Sequence, residues 1–282
     1  MQLPESFLKS LSSVLPEPEV NLFTDALRQD IPVSVRLNPN KVSDLNFGAR
    51  VPWCDLGFYL TERPKFIFDP DFHAGAYYVQ EAGSMLLEQA LKQHVNLSQS
   101  IKVLDLCASP GGKSTHVLSL ISDESLLVSN EVIHSRIQAL EQNLIRWGTS
   151  NFIITQNDPG AFSTFNDQFD VILVDAPCSG EGMFRKHAHA VSEWSEQNVI
   201  HCAARQNRIL EDVWPALKED GLLIYSTCTY NMQENENNLH NFMANHEGVS
   251  LKLNLPQEWN VLESKHDQVF GYRMMPHRTD YG

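Results

Sequence analysis

Two cysteines stand just beyond short apolar runs. Cys178 follows Asp170-Val-Ile-Leu-Val-Asp175-Ala-Pro, and Cys228 follows Gly221-Leu-Leu-Ile-Tyr-Ser-Thr. Each run reads as a buried strand. In an open parallel α/β sheet, ligands bind outside the carboxyl ends of the strands. Such a fold would deliver two thiols to one crevice. A thiolate is a strong nucleophile once its surroundings lower a pKa that is about 8.5 when free. Upstream, Val103-Leu-Asp105-Leu-Cys107-Ala108-Ser109-Pro110-Gly111-Gly112-Lys113-Ser reads as a strand running into a glycine loop and a helix. Glycine lets the backbone approach a ligand closely, and a helix N-terminus offers N–H groups to an anion. Together these features point to covalent chemistry on a substrate held against a nucleotide-type cofactor.

The loop is neither G-x-G-x-x-G nor a complete P-loop, which needs an earlier glycine. Glu131 ends the next apolar run, 20 residues after Gly111. An acid there hydrogen-bonds cofactor ribose hydroxyls in doubly wound folds. Asp158 follows the run after that, where an adenine amino group could find an acceptor. Helix capping is the plain alternative for both acids. With no second phosphate-type glycine motif, a cofactor carrying ribose, adenine and a carboxylate fits, and S-adenosyl-L-methionine has all three. Cys54 and Cys202 read as buried packing, the usual state of a lone cysteine. Cys107 contributes its backbone to the loop.

The elements that must position these residues alternate. Strands are predicted at 101–106, 126–130, 152–155, 170–175 and 221–226, with helices at 112–121, 134–146 and 198–217. That alternation predicts an α/β fold, a doubly wound, mostly parallel Rossmann-like sheet. A further helix is predicted from Tyr77 to Leu91, with Met85, Leu86, Ala90 and Leu91 apolar. Residues 1–72 read as a small α/β subdomain: a helix after Pro4, a break at Pro16 and Pro18, a second helix over Glu19–Gln29 and a strand from Ile31. Residues 73–282 would then form the main domain.

Composition narrows the class. The chain has 282 residues, 42% hydrophobic and 20% charged, ordinary for a globular protein. It has no apolar run of about 18 residues and no basic-then-apolar leader at Met1-Gln-Leu-Pro-Glu. Five cysteines without a C-x-x-C pair favour a reducing, cytoplasmic compartment and no structural zinc site. His187 and His189 have no cysteine or carboxylate at ligand spacing, so no metal is expected. The formal charge of −14 argues against strong, unaided binding of nucleic acid. A monomer is the default expectation.

Asp105-Leu-Cys-Ala-Ser-Pro-Gly-Gly-Lys113, Asp175-Ala-Pro-Cys178-Ser-Gly-Glu-Gly and Ser226-Thr-Cys228-Thr, in this order, resemble the Nop2/Sun family of RNA 5-methylcytosine methyltransferases. The likeness covers about residues 30–280; Ser109 stands where the family usually has alanine. Val51-Pro-Trp-Cys54, Tyr78-Val-Gln-Glu81 and Gly271-Tyr-Arg-Met-Met-Pro-His277-Arg278 look most like its RsmF-type branch, which acts on small-subunit ribosomal RNA. The resemblance implies Cys228 as the nucleophile toward carbon 6 of cytosine, Cys178 as the group assisting release, and Asp175 on the cytosine edge. Lys113 would lie near the cofactor carboxylate or the base. Residues Cys107 to Lys113, with Glu131, Arg136, Asp158 and Asp175, would hold S-adenosylmethionine. The implied partner is 16S rRNA or the small ribosomal subunit, with transfer RNA or 23S rRNA, or a catalytically silent ribosome-assembly role, as alternatives. The target base must leave its stack, and Arg36, Arg185, Lys186 and Arg278 are candidate RNA contacts. Family members usually continue past the Pro-His-Arg segment into a final strand and a further RNA-binding domain, so the expectation is a chain cut short of that plan.

Overall fold

The computed structural model describes residues 3–41 and 47–279. In chain order they form α1 (Glu5–Leu11), α2 (Glu17–Ala26), β1 (Val33–Leu37), β2 (Gly57–Leu60), α3 (Pro70–Ala74), β3 (Tyr77–Val79), α4 (Leu87–His94) and β4 (Lys102–Asp105). There follow α5 (Gly112–Leu118), β5 (Leu126–Asn130), α6 (His134–Trp147), β6 (Phe152–Thr155), β7 (Phe169–Asp175), α7 (Ala188–Glu193) and α8 (Glu196–Val213). The chain ends through β8 (Leu217–Ser226), α9 (Glu236–Met243), β9 (Leu262–His266), β10 (Val269–Arg273) and α10 (Pro276–Thr279). The prolines that interrupt the N-terminal pattern start helices: Pro4 and Pro16 occupy N-cap positions, and Pro18 lies in the first turn of α2. Their fixed φ suits a helix start, where the missing N–H costs nothing.

Two compact units emerge, and neither follows chain order. One comprises residues 32–175 and 212–225, the other 1–31, 176–211 and 226–282. Residues 1–72 are therefore shared between both.

The first unit carries a five-stranded sheet of order β6-β5-β4-β7-β8. Val103 pairs in parallel with Leu127 and with Val171, and Leu127 pairs with Phe152. The chain winds outward from β4 through β5 and β6, then returns to β7 on the other side. This is the doubly wound plan expected from the alternating pattern, and strand order reverses between β4 and β7. Val103, Leu127 and Leu173 pack against Val117 of α5 and Leu140, Leu144 and Trp147 of α6. The spacing of those three α6 residues puts them on one helical face. Truncating Leu140 or Leu144 to alanine would cost about 2–5 kcal/mol.

A second, antiparallel sheet of order β2-β1-β3 belongs to the same unit. It overturns the helix expected from Tyr77 to Leu91. Tyr77 pairs with Leu37 of β1, a 3-10 turn covers Gly83–Leu86, and only Leu87–His94 is α-helical. Tyr-Tyr-Val favours a strand wherever an edge can receive it, and β1 supplies that edge.

The second unit is built on aromatic packing among α1, α2 and the segments after Ala176. The Phe7 ring meets Phe184 at 5.0 Å and Trp194 at 5.6 Å, and Phe23 meets Tyr230 at 4.9 Å, all edge-on. Such pairs add about 0.5–1.5 kcal/mol each beyond the area they bury. Arg278 of α10 makes a two-pronged pair with Glu19 of α2, both bonds 2.7 Å. Among the described residues, no helix is long and apolar enough to cross a membrane.

Candidate active site

In the sheet unit, the carboxyl ends of β4 and β7 flank the reversal of strand order, where doubly wound folds form their ligand crevice. The loop after β4 is tied to both neighbouring strands. Leu106 N–H donates to the Leu173 carbonyl at 2.9 Å, and Ala108 N–H to the Asn130 carbonyl at 2.8 Å. Gly111 opens α5 at φ +106°, and a Cβ there would lie 3.3 Å from Leu140 Cδ1 and 3.4 Å from Asn143 Cβ. The positive φ favours glycine here, and the space left for a Cβ is tight. Arg136 Nη2 donates to the Ser109 carbonyl at 2.8 Å, and Ser109 Oγ donates to the Arg136 carbonyl at 2.9 Å. Arg136 thus braces the loop.

Two buried carboxyl groups line these strand ends with an oxygen to spare. Glu131 is 2% exposed; its Oε1 accepts from Ile133 N–H at 2.9 Å, and its Oε2 lies 3.3 Å from Arg136 Nη1 without a well-formed hydrogen bond. Asp105 Oδ2 accepts from Ser114 Oγ at 2.6 Å, and Oδ1 has no partner among the described residues. Burial pushes the Asp105 carboxyl up to about 7, the Ser114 bond opposes the rise, and the Asp175 charge adds to it. Lys113 Nζ pairs with Asp175 Oδ2 at 2.6 Å, so the structure brings together the lysine and aspartate singled out in separate motifs. A ligand with hydroxyl donors would satisfy Glu131 Oε2, as a cofactor ribose would. Asp158 is exposed and accepts from Gly160 N–H at 3.0 Å, the capping role. Burial raises the Cys107 thiol, which leaves its backbone as the useful part.

In the other unit, Cys178 Sγ and Cys228 Sγ lie 2.9 Å apart. Hydrogen bonding to Cys228, then burial, drives the Cys178 thiol well above its ordinary range, while Cys228 is the exposed member. The pair is held by two buried acids that sequence reasoning missed. Glu181 accepts from the N–H groups of Tyr230 (2.7 Å) and Asn231 (3.0 Å), from Asn231 Nδ2 (2.9 Å) and from Trp194 Nε1 (3.1 Å). Glu234 accepts from Ser179 N–H (2.9 Å), Asn231 Nδ2 (2.9 Å), Gln206 Nε2 (2.8 Å) and the Ser179 hydroxyl. Gly182 N–H donates to the Cys228 carbonyl at 2.8 Å. Each acid bridges the Cys178 loop and the Cys228 loop. The acids sit in Gly-Glu-Gly and Gln-Glu-Asn-Glu stretches that read as solvated turns, so only their nearness to the thiol motifs could have flagged them.

The candidate RNA contacts divide. Arg36 is 1% exposed and donates to Gln80 (2.8 Å), Ser119 (2.8 Å) and Thr115 (2.7 Å) while stacking on Trp147 at 4.5 Å. It is an internal strut and faces no solvent, which corrects its assignment as an RNA contact. Its place in β1, at the end of an alternating run, gave no sign of which face was buried. Arg185 donates to the Asp30 carbonyl at 2.6 Å, Arg278 is engaged with Glu19, and Lys186 is exposed. Cys54 and Cys202 are buried as expected; burial pushes the Cys54 thiol up to about 12.

Residues 92–281 match the family described as 16S rRNA methyltransferase RsmB/F, and residues 3–82 match the N-terminal domain of 16S rRNA methyltransferase RsmF. The chain belongs to the RsmB/F family. Within this family it is 36% identical over 249 residues to ribosomal RNA small subunit methyltransferase F of Aeromonas hydrophila, covering 83% of this chain and 52% of that protein. The protein of that name from Vibrio atlanticus is also 36% identical, over 84% of this chain and 53% of its own length. The chain thus spans about half the length of the curated relatives it matches. A methyltransferase homologue from Pyrococcus horikoshii superposes with a TM-score of 0.69 and 28% identity, over 92% of this chain and 89% of that one. NSun6 from the same organism, solved with SFG, has a TM-score of 0.79 at 17% identity, over 98% and 94%; that likeness is one of fold. The RsmB/F assignment agrees with the family resemblance of the three motifs.

Proposed function

We propose that this RsmB/F chain carries the catalytic machinery of an S-adenosylmethionine-dependent cytosine-C5 methyltransferase of RNA, acting on 16S rRNA or the small ribosomal subunit in the cytoplasm as a monomer. The observation that carries this reading is the thiol pair at 2.9 Å on the two family motifs. When bound, the cofactor supplies a methyl group on an electrophilic sulfonium. Carbon 5 of cytosine is too electron-poor to attack it unaided. Cys228, having given up its thiol proton to solvent, adds as a thiolate to carbon 6, forming an S–C6 bond and shifting ring electrons toward carbon 5. Asp175 holds the cytosine edge and stabilises a proton at N3, and Lys113 fixes Asp175. After carbon 5 has gained the methyl group, with the cofactor leaving as its neutral thioether, the C5 proton passes to a base such as water. The electrons of that C–H bond re-form the C5–C6 double bond and Cys228 is expelled as a thiolate, with Cys178 assisting release. Splitting one hard step in this way is nucleophilic catalysis.

The surroundings of the two thiols support these roles. The Cys228 contact and burial keep Cys178 in its thiol form, which leaves Cys228, the exposed member, as the sulfur able to reach a substrate atom. Cys178 follows Asp175 by three residues, and Cys228 follows the end of β8 by two. Glu131, Arg136 and the Cys107–Lys113 loop would hold the cofactor, with the spare Glu131 oxygen on the ribose and Asp158 toward the adenine. Lys186, Arg185 and Arg278 would meet RNA phosphates, a small basic set on an acidic chain.

Methyl transfer from labelled S-adenosylmethionine to undermethylated 16S RNA, assembled small subunits, 23S RNA and transfer RNA tests this, with wild type, Cys228→Ala and Cys178→Ala. Labelling confined to 16S RNA or small subunits, no activity in Cys228→Ala, and a trapped protein–RNA adduct in Cys178→Ala are expected. Methylation that survives loss of Cys228 but not of Cys178 would reverse the thiol roles. Cofactor binding with no RNA labelled would favour the silent assembly role.

A further inference from the structure

Cys54, Glu88 and His116 converge from three separate elements, the loop before β2, α4 and α5. Their relative exposures are 2%, 3% and 1%. One ligand-capable atom of each lies within 4.8 Å of the others. Cys54 Sγ is 3.8 Å from His116 Nε2, and that nitrogen is 3.0 Å from Glu88 Oε2. Thiolate, imidazole and carboxylate form a zinc donor set, with bonds of about 2.3, 2.0 and 2.1 Å. A tetrahedral ion with those bonds separates sulfur from nitrogen by about 3.6 Å and nitrogen from oxygen by about 3.4 Å. The observed spacings differ from these by only a few tenths of an ångström.

The surroundings orient the carboxylate. Glu88 Oε1 accepts from Lys92 at 2.6 Å and from Asp55 N–H at 3.1 Å, which leaves Oε2 to the cluster. Outer contacts of this kind orient ligating carboxylates. The Lys92 charge is answered in turn by Asp55 at 2.5 Å. A cavity of about 280 Å³ opens beside Glu88 and His116, with Ser119, Lys92 and Asp55 also on its wall. It leaves room for water as a fourth ligand. Two anionic ligands neutralise a divalent ion, and soft sulfur with imidazole selects zinc over magnesium or calcium.

We propose that Cys54, Glu88 and His116 form a site for one zinc-class divalent cation. The ion would tie α5, the helix opened by the glycine loop, to α4 and to the loop before β2. The spacing of 34 and 28 residues between ligands matches no zinc motif, so the sequence gives no hint of it. The proposal does not depend on the methyl-transfer reading.

The test strips the full chain with chelator, dialyses it against zinc and counts zinc per chain. Wild type, Cys54→Ser, His116→Gln and the double variant Cys178→Ser/Cys228→Ser are compared, with circular dichroism to confirm folding. The expected result is one zinc in wild type and in the double variant, and loss of that zinc in the other two. Cobalt replacement on the wild-type chain serves even if the variants fail to fold. After native alkylation of Cys178 and Cys228, buried Cys54 should still give a thiolate-to-cobalt charge-transfer band. No stoichiometric zinc in wild type overturns the proposal. So does zinc that survives Cys54→Ser and His116→Gln but disappears with the Cys178/Cys228 pair, as does a cobalt band abolished by alkylation.

Discussion

Replacing Glu181 with glutamine keeps the side chain's shape and removes one acceptor oxygen and the charge. The carboxylate meets four donors: the N–H groups of Tyr230 and Asn231 on one oxygen, Asn231 Nδ2 and Trp194 Nε1 on the other. A glutamine oxygen can serve one of these pairs; its NH2 then faces the other pair, donor against donor. Each lost bond to a buried charged acceptor costs about 1.5–3 kcal/mol. Two such losses give roughly 3–6 kcal/mol before relaxation. That is a large share of the ~5–15 kcal/mol that keeps a typical domain folded. Burial pushes the Glu181 carboxyl up even against its four donors, so loss of the charge relieves some desolvation and the cost should fall toward the lower end of roughly 3–6 kcal/mol. Glu181 lies three residues beyond Cys178, and two of its donors are the N–H groups two and three residues beyond Cys228. The substitution should therefore slacken the thiol pair as well as destabilise the chain. Urea denaturation measures the first effect. The rate at which diamide oxidises Cys178 and Cys228 to a disulfide measures the second, since it depends on their spacing of 2.9 Å. A variant within about 1 kcal/mol of wild type, with an unchanged cross-linking rate, would refute the reasoning.

Asp105→Asn bears on pH. The folded carboxyl titrates at about 7 against an ordinary 3.8, so stability falls as pH rises through that window, by an amount on the order of 4 kcal/mol at most. The asparagine variant should be the more stable protein at pH 8 and gain nothing at pH 4; a pH-independent difference in denaturation midpoint sinks the assignment. Gly182→Ala would set a Cβ 3.0 Å from the Cys228 carbonyl oxygen, a backbone atom, and should cost about 1–3 kcal/mol while altering the alkylation rate of Cys228. Lys113→Met removes the partner of Asp175. Both groups are partly exposed, so stability should change by less than about 1 kcal/mol, while methyl transfer falls; unchanged kcat and cofactor affinity would remove Lys113 from the machinery.

The parts of this fold that read cleanly from sequence are those set by local pattern. β5 and β6 fall on their expected residues, and α6 differs by one, because alternating apolar runs and glycine stops report directly on a doubly wound sheet. The failures have a different origin. Tyr77–Val79 became a strand because β1 offers it a partner, a tertiary fact that no window of residues contains. Arg36 looked like a surface cation because arginine is rarely buried. Its burial depends on Gln80, Thr115, Ser119 and Trp147 arriving from distant positions. Chain order also concealed that residues 1–31 associate with segments beyond Ala176. That grouping comes from aromatic contacts such as Phe7 with Trp194, nearly the full length of a domain apart in sequence.

Donor accounting separates buried acids that build from those that bind. Glu181 and Glu234 each meet four donors, enough to fill both oxygens. Glu236 is closed by both arms of Arg273 and by Ser264. Glu181 and Glu234 have no capacity left for a ligand, and the work of all three is to hold loops. Glu131 and Asp105 each keep one buried oxygen without a hydrogen-bond donor. A buried polar atom left unmet costs about 1–3 kcal/mol. Under the proposed function, a hydroxylated cofactor would recover such a cost at Glu131 on binding. The same count therefore favours Glu131 over Glu181 and Glu234 as the proposed cofactor contact, although all of these acids are equally hidden from solvent. Glu131→Gln should accordingly weaken S-adenosylmethionine binding with little change in folding stability, the reverse of the pattern expected for Glu181→Gln. Calorimetric titration of the cofactor beside urea denaturation of both variants would distinguish them, and parallel losses in both assays would show that the spare oxygen has no ligand to meet.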